Sequence, residues 1–111
     1  MKISYDDEGD ILEVQFKLGQ PEKRTGIGLT DNITIFCDTS FQQAFGFIAL
    51  TYSKLLALSE SPLNELNRAP RDVQDKITQL IINSPLNRFL YLINGKIALR
   101  DIKILETIVL S

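Results

Sequence analysis

The chain has 111 residues, 44% of them hydrophobic and 23% charged, with a formal net charge of −2. This is the composition of a folded domain large enough to bury a core, with no broad electrostatic pull toward nucleic acid or an anionic membrane. Histidine is absent and Cys37 is the only cysteine, which excludes histidine-activated nucleophiles, histidine-ligated zinc, an internal disulfide and a cysteine-cluster metal site within one chain.

Any chemistry must therefore rest on carboxylates, lysine, tyrosine or a hard cation. No apolar run approaches ~18 residues, and the opening residues 1–6 contain no signal-peptide h-region. The expectation is a cytoplasmic protein with no membrane partner.

Taken in order, Ile3 and Tyr5 alternate with Lys2 and Ser4 as a short first strand. The acidic turn Asp6, Asp7, Glu8, Gly9 and Asp10 follows, with Gly9 free to take positive φ. Leu12, Val14 and Phe16 then alternate with Ile11, Glu13 and Gln15, so the second strand completes a hairpin with the first. Pro21 lacks an amide hydrogen and suits a strand entry. A third strand is expected over 22–29, with Thr25, Ile27 and Leu29 on one face and Gly26 and Gly28 on the other. Two such glycines admit close packing of another element. A glycine-rich phosphate loop would need a strand-to-helix junction, whereas the turn Thr30, Asp31, Asn32 leads into another strand.

Residues 33–37 and 44–50 are apolar runs separated by the turn-forming stretch 38–43. Neither run alternates strictly, which predicts two central strands buried on both faces, with Cys37 a core thiol.

After Leu50 the pattern becomes helical. Residues 51–58 favour a short helix, and Ser61-Pro62 reads as an N-cap followed by proline at the first helical position. Beyond Pro70, Val73, Ile77, Leu80 and Ile81 share one helix face, and Asp72 suits the first turn. Asn83-Ser84-Pro85 ends that helix. Ser-Pro-Leu-Asn occurs at both 61–64 and 84–87, but the flanking residues differ too much for a repeat. Residues 89–93 and 96–99 flank Asn94-Gly95, the pair that a type I′ hairpin turn demands.

The opening Met1, Lys2, Ile3, Ser4, Tyr5, Asp6 with its acidic turn resembles that of domain-of-unknown-function family 2283, a family of small bacterial proteins. Asp38, the run Phe45, Gly46, Phe47, Ile48 and then Tyr52, Ser53, Lys54 match the later part of the same pattern. The resemblance covers residues 1–58. Gly9 stands where the family more often has alanine, and Ala49 where an acidic residue is common. The resemblance implies a small β-rich fold and carries no activity, cofactor or catalytic residue.

Asp6, Asp7, Glu8 and Asp10 form the densest acidic cluster, and Asp38 is the first outside residue that could join them around a hard cation. Their spacing lacks the regular acidic loop of a calcium site, so a solvated hairpin turn is the favoured reading. Arg88, Lys96, Arg100 and Lys103 make the terminal hairpin locally basic, with Asp101 opposing them. Cations on edge strands also discourage unwanted pairing, and nucleic acid is the less favoured partner. Ile102, Ile104, Leu105, Ile108, Val109 and Leu110 crowd apolar surface into the final residues, which points to self-association through the C-terminal end.

The sequence thus predicts an α+β fold in one domain over 1–111: an antiparallel β-meander over 1–50, a mainly helical segment over 51–83, and a β-hairpin with a tail over 84–111. The function it favours is a non-catalytic protein-interaction module that forms a homodimer, with a second small protein as a further candidate partner. The alternative is a carboxylate- or cation-dependent hydrolase of small substrates. No residue pattern asks for a cofactor.

Overall fold

A computed structural model describes residues 1–16 and 23–101. The fold is α+β, built on two antiparallel sheets. The larger contains β1 (Lys2–Asp6), β2 (Ile11–Gln15), β3 (Thr25–Thr30), β4 (Ile33–Cys37) and β5 (Ala44–Leu50). Its spatial order is β1-β2-β5-β4-β3, so β5 lies at the centre. Two sequential units, the β1–β2 hairpin and the β3–β4–β5 meander, are joined side by side through β2 and β5. This arrangement follows from composition. β5 carries no charge and takes a partner on each side, whereas β1 with Lys2 and Asp6 and β3 with its glycines and register shift occupy the edges.

Helix α1 (Tyr52–Leu58) leaves the end of β5, and α2 (Arg71–Ile82) follows a 3-10 turn at Leu66–Arg68. Both helices fall within the segment expected to be helical. Ile77, Leu80 and Ile81 of α2 are buried, and Val73 packs against them from the margin. Asn83 ends α2 in extended conformation. No described helix is long and apolar enough to cross a membrane.

The smaller sheet has the order β6-β8-β7, from β6 (Ser61–Pro62), β7 (Leu90–Ile93) and β8 (Lys96–Leu99). The expected hairpin is β7–β8, turning through Asn94 and Gly95, both at positive φ as a type I′ turn requires. Ser61-Pro62 is not a helix start. It pairs with Ile97 and Lys96 as an edge strand, where proline's missing N–H costs no ladder bond, and it covers the second side of the buried β8. The second Ser-Pro-Leu-Asn instead enters a 3-10 turn at Leu86–Arg88. The same tetrapeptide therefore takes two conformations, set by its neighbours.

One core joins the two sheets. Leu12, Val14, Ile33, Ile35, Phe47 and Ala49 of the large sheet pack against Tyr52, Leu66, Ile77, Ile81, Leu86, Phe89, Leu90 and Ile97. Phe89 sits between Phe47 and Phe16, 5.7 Å from each ring centroid. Cys37 is fully buried, and its thiol pKa is pushed up to about 11, first by burial and then by the charge of Asp38.

Burial alternates along β4: Ile33, Ile35 and Cys37 point into the core, while Thr34 and Phe36 are half-buried on the other face. The expectation that β4 and β5 bury both faces is therefore corrected. The core elements pack on one face of the large sheet, and Thr34, Phe36 and Ile48 on the other face are only half-buried. Gly46 marks a close approach, because a Cβ there would collide with the carbonyl oxygen of Val14. Gly26 lies under the Phe36 ring, where a Cβ would be tight at 3.3 Å, whereas at Gly28 a Cβ would meet the Glu65 side chain at an ordinary contact distance of 3.4 Å.

Ile77→Ala is expected to lower unfolding stability by about 2–5 kcal/mol, the range for truncating a buried aliphatic side chain. A denaturation midpoint equal to that of the parent protein would show that this helix face contributes no core.

Candidate functional site

The acidic turn contains a helix cap supplied from outside its own helix. Asp10, not Gly9, takes positive φ (53°). That conformation lets its carbonyl accept the Tyr52 N–H at 2.9 Å while its carboxylate meets the start of α1. Ser53 donates its backbone N–H to Oδ1 at 3.0 Å and its hydroxyl to Oδ2 at 2.6 Å. The Tyr5 hydroxyl donates to Oδ1 at 2.6 Å. Thr51, the residue flanking α1, offers no side-chain cap of its own, so Asp10 satisfies donors that a helix start leaves open.

These bonds favour the ionised carboxylate. The Ser53 hydroxyl, then the Tyr5 hydroxyl and the Ser53 N–H, hold the Asp10 pKa below the ordinary carboxylate value. The hydrogen bond to Asp10, reinforced by burial and by the charges of Asp10 and Asp7, pushes the Tyr5 phenol up to about 12. The Tyr5 ring also meets Tyr52 edge-on at 5.8 Å, and the Tyr52 hydroxyl donates to the Arg100 carbonyl at 2.9 Å. A chain of contacts thus runs from the first hairpin through α1 to the end of β8.

Asp38 performs a similar task at the other end of β5. Its carboxylate accepts the backbone N–H groups of Gln42 at 2.8 Å and Gln43 at 2.7 Å, together with the Ser40 hydroxyl. Ser40, ahead of these backbone donors, holds its pKa down. The bonds close the 38–43 loop and keep Phe41 at φ 59°, a region that bulky side chains seldom adopt.

The five acidic candidates are therefore not gathered into one site. Asp10 lies by the end of β5 that pairs with Ile11, and Asp38 by the end that pairs with Cys37. A seven-residue strand separates them by roughly 20 Å. Asp6 accepts the Glu8 N–H within its own turn. Among the described residues no three such side chains converge as a metal ion would need.

Two of the basic candidates are also engaged, whereas Arg88 is exposed at the end of a 3-10 turn. Lys96 pairs with Glu60 at 3.4 Å, and Arg100 stacks over Tyr91 at 4.8 Å while its Nε donates to the Asn87 carbonyl at 3.4 Å. Lys103 and the apolar tail positions Ile102, Ile104, Leu105, Ile108, Val109 and Leu110 lie outside the described residues.

Two surfaces that sequence reasoning missed come from the fold. The first is the outer face of the large sheet, where Ile48 is flanked by Glu13 and Thr34, Leu50 by Ile11, and Phe36 by Gly46 and Gly26. Leu50 is 39% exposed, and Arg24 lies over the Phe36 ring at 4.8 Å. The second is a groove of about 600 Å³ between the 38–43 loop and the C-terminal half of α2. Phe16, Phe41, Leu80 and Pro85 supply its apolar lining, with Lys76 and amide side chains at its rim. The sequence signal for the groove was an aromatic residue inside a turn otherwise made of small polar residues and glutamines.

Comparisons with protein-family models, with curated proteins and with solved structures each gave no significant match.

In an absorbance titration, the Tyr5 contribution, isolated by difference with Tyr5→Phe, should have its midpoint near 12 and fall back toward 10 in Asp10→Asn. Because the Asp10 pKa is lowered on folding, its charge stabilises the fold above the unfolded carboxylate pKa, and this is lost as pH falls through the folded value. The Asp10→Asn protein should therefore melt below the parent at neutral pH, with the gap closing in acid. A gap that persists unchanged into acid would show that the carboxylate charge does not act at this cap.

Proposed function

We propose that this protein is a non-catalytic interaction module of a bacterial cytoplasm that self-associates as a homodimer. The observation that carries the reading is the outer face of the five-stranded sheet, where Ile11, Phe36 and Ile48 are half-buried and Leu50 is 39% exposed. Apolar side chains presented together on a regular surface suit a second copy, because a two-fold axis lets identical patches complement each other. Charges at the margin, Lys2 and Arg24, can fix the register of such a pair without forming its centre, and Glu13, beside Ile48, adds one charge within the face.

The chemistry of the carboxylates points the same way. Asp10 and Asp38 are each saturated by hydrogen bonds from neighbouring backbone and hydroxyl groups, at opposite ends of β5. A carboxylate spent on holding a helix start or a loop is not poised as a general base. Membership of the first half in domain-of-unknown-function family 2283 belongs to the same proposal, supported by the motifs of residues 1–58 and by a β-rich arrangement over that half. The tail 102–111 supplies a second candidate surface on sequence grounds alone.

Light scattering of the full chain at micromolar concentration should give twice the monomer mass. Leu50→Glu should shift the equilibrium toward monomer if the sheet face is the contact, and truncation after Lys103 should do so if the tail is. A full-length protein that stays monomeric throughout the micromolar range would overturn the reading.

A further inference from the structure

We propose that the groove between the 38–43 loop and α2 is a binding site for a small amphipathic carboxylate, a ligand with an apolar body and one anionic end. Its volume of about 600 Å³ is that of a small-molecule site rather than of a packing defect. Phe16, Phe41, Leu80 and Pro85 offer contact to an apolar body. Lys76 is the one ionisable side chain among the described lining residues, Met1 adds the terminal amino group, and none of the described lining residues is a carboxylate. Gln42, Gln43, Gln79 and Asn83 are neutral amides, and Ser40 and Ser84 neutral hydroxyls, that orient a ligand without cancelling that charge.

The loop wall is already built for the task. Asp38 takes the Gln42 and Gln43 N–H groups, and the Phe41 N–H donates to the Asp38 carbonyl at 3.1 Å. Phe41 is thereby held at positive φ, a conformation with an energetic cost that concentrates at binding and catalytic sites. A wall fixed before the ligand arrives loses little freedom on binding. Across the groove, α2 presents Lys76 and Gln79 one turn apart, beside Leu80. Lys76 and the terminal amino group of Met1 suit an anion, and an amine ligand would find no counter-charge among the described lining residues.

Calorimetric titration of the full chain with octanoate, phenylacetate, octanamide and octylammonium tests this directly. At least one of the two carboxylates should bind at a single site, and the comparison between them identifies an alkyl or an aryl body. Lys76→Gln, at an exposed position that should leave the melting temperature unchanged, should weaken the carboxylate roughly threefold or more, with octanamide unaffected. Phe41→Gly keeps the positive φ and removes the ring, so it should weaken carboxylate and amide alike. Absence of binding by both carboxylates would overturn the proposal. So would carboxylate binding indifferent to Lys76→Gln, or octylammonium binding as tightly as octanoate.

Discussion

The packing of Phe89 between Phe16 and Phe47 is the contact on which the rest of the structure depends. Phe47 belongs to the central strand of the large sheet, and Phe89 immediately precedes the first strand of the hairpin β7–β8. Both are essentially inaccessible to solvent. Aromatic rings in tilted contact combine a large apolar area with a specific geometry, so they fix orientation as well as bury surface. Around them Leu12, Val14, Ile35, Ile77, Ile81 and Ile97 close a core that no single part of the chain could complete. The short strands of the smaller sheet gain their stability from this shared layer, since an isolated hairpin is marginal in water.

The carboxylates that stand out in the sequence act within the fold. Asp10 caps a helix that begins forty-two residues later in the chain, at Tyr52. Asp38 closes a loop, and Asp6 a turn. Ionised oxygens are strong acceptors, and backbone N–H groups at helix starts and tight turns are donors without internal partners. Local charge density therefore reports where the chain turns and where it needs acceptors. It does not by itself report catalysis.

Function in such a molecule belongs to its surfaces, and the two that the fold creates differ in kind. The outer sheet face is shallow and ribbed with β-branched, aromatic and aliphatic side chains, a form that suits another regular surface. The groove beside α2 is concave, with Lys76 the one ionisable side chain among its described lining residues, a form that suits a compact ligand. Fold class alone chooses neither, because sites are grafted on folds. The two surfaces use different residues, so one can be altered while the other is left intact.

The periodicity of the sequence by itself determined the local elements. The i, i+4, i+7 and i+8 stripe from Val73 to Ile81 produced α2, and Asn94-Gly95 produced the hairpin turn, because helix spacing and positive-φ demands are short-range properties of the chain. The buried thiol of Cys37 was equally legible from its apolar strand. Only the tertiary structure decided the pairings. That β5 separates β2 from β4, that Ser61-Pro62 completes a sheet instead of opening a helix, and that Asp10 instead of Gly9 turns to positive φ all depend on partners distant in sequence. The physical reason is the same in each case: hydrogen-bond donors and apolar faces are satisfied by whatever the fold brings within reach, and the local residue pattern does not encode that neighbour.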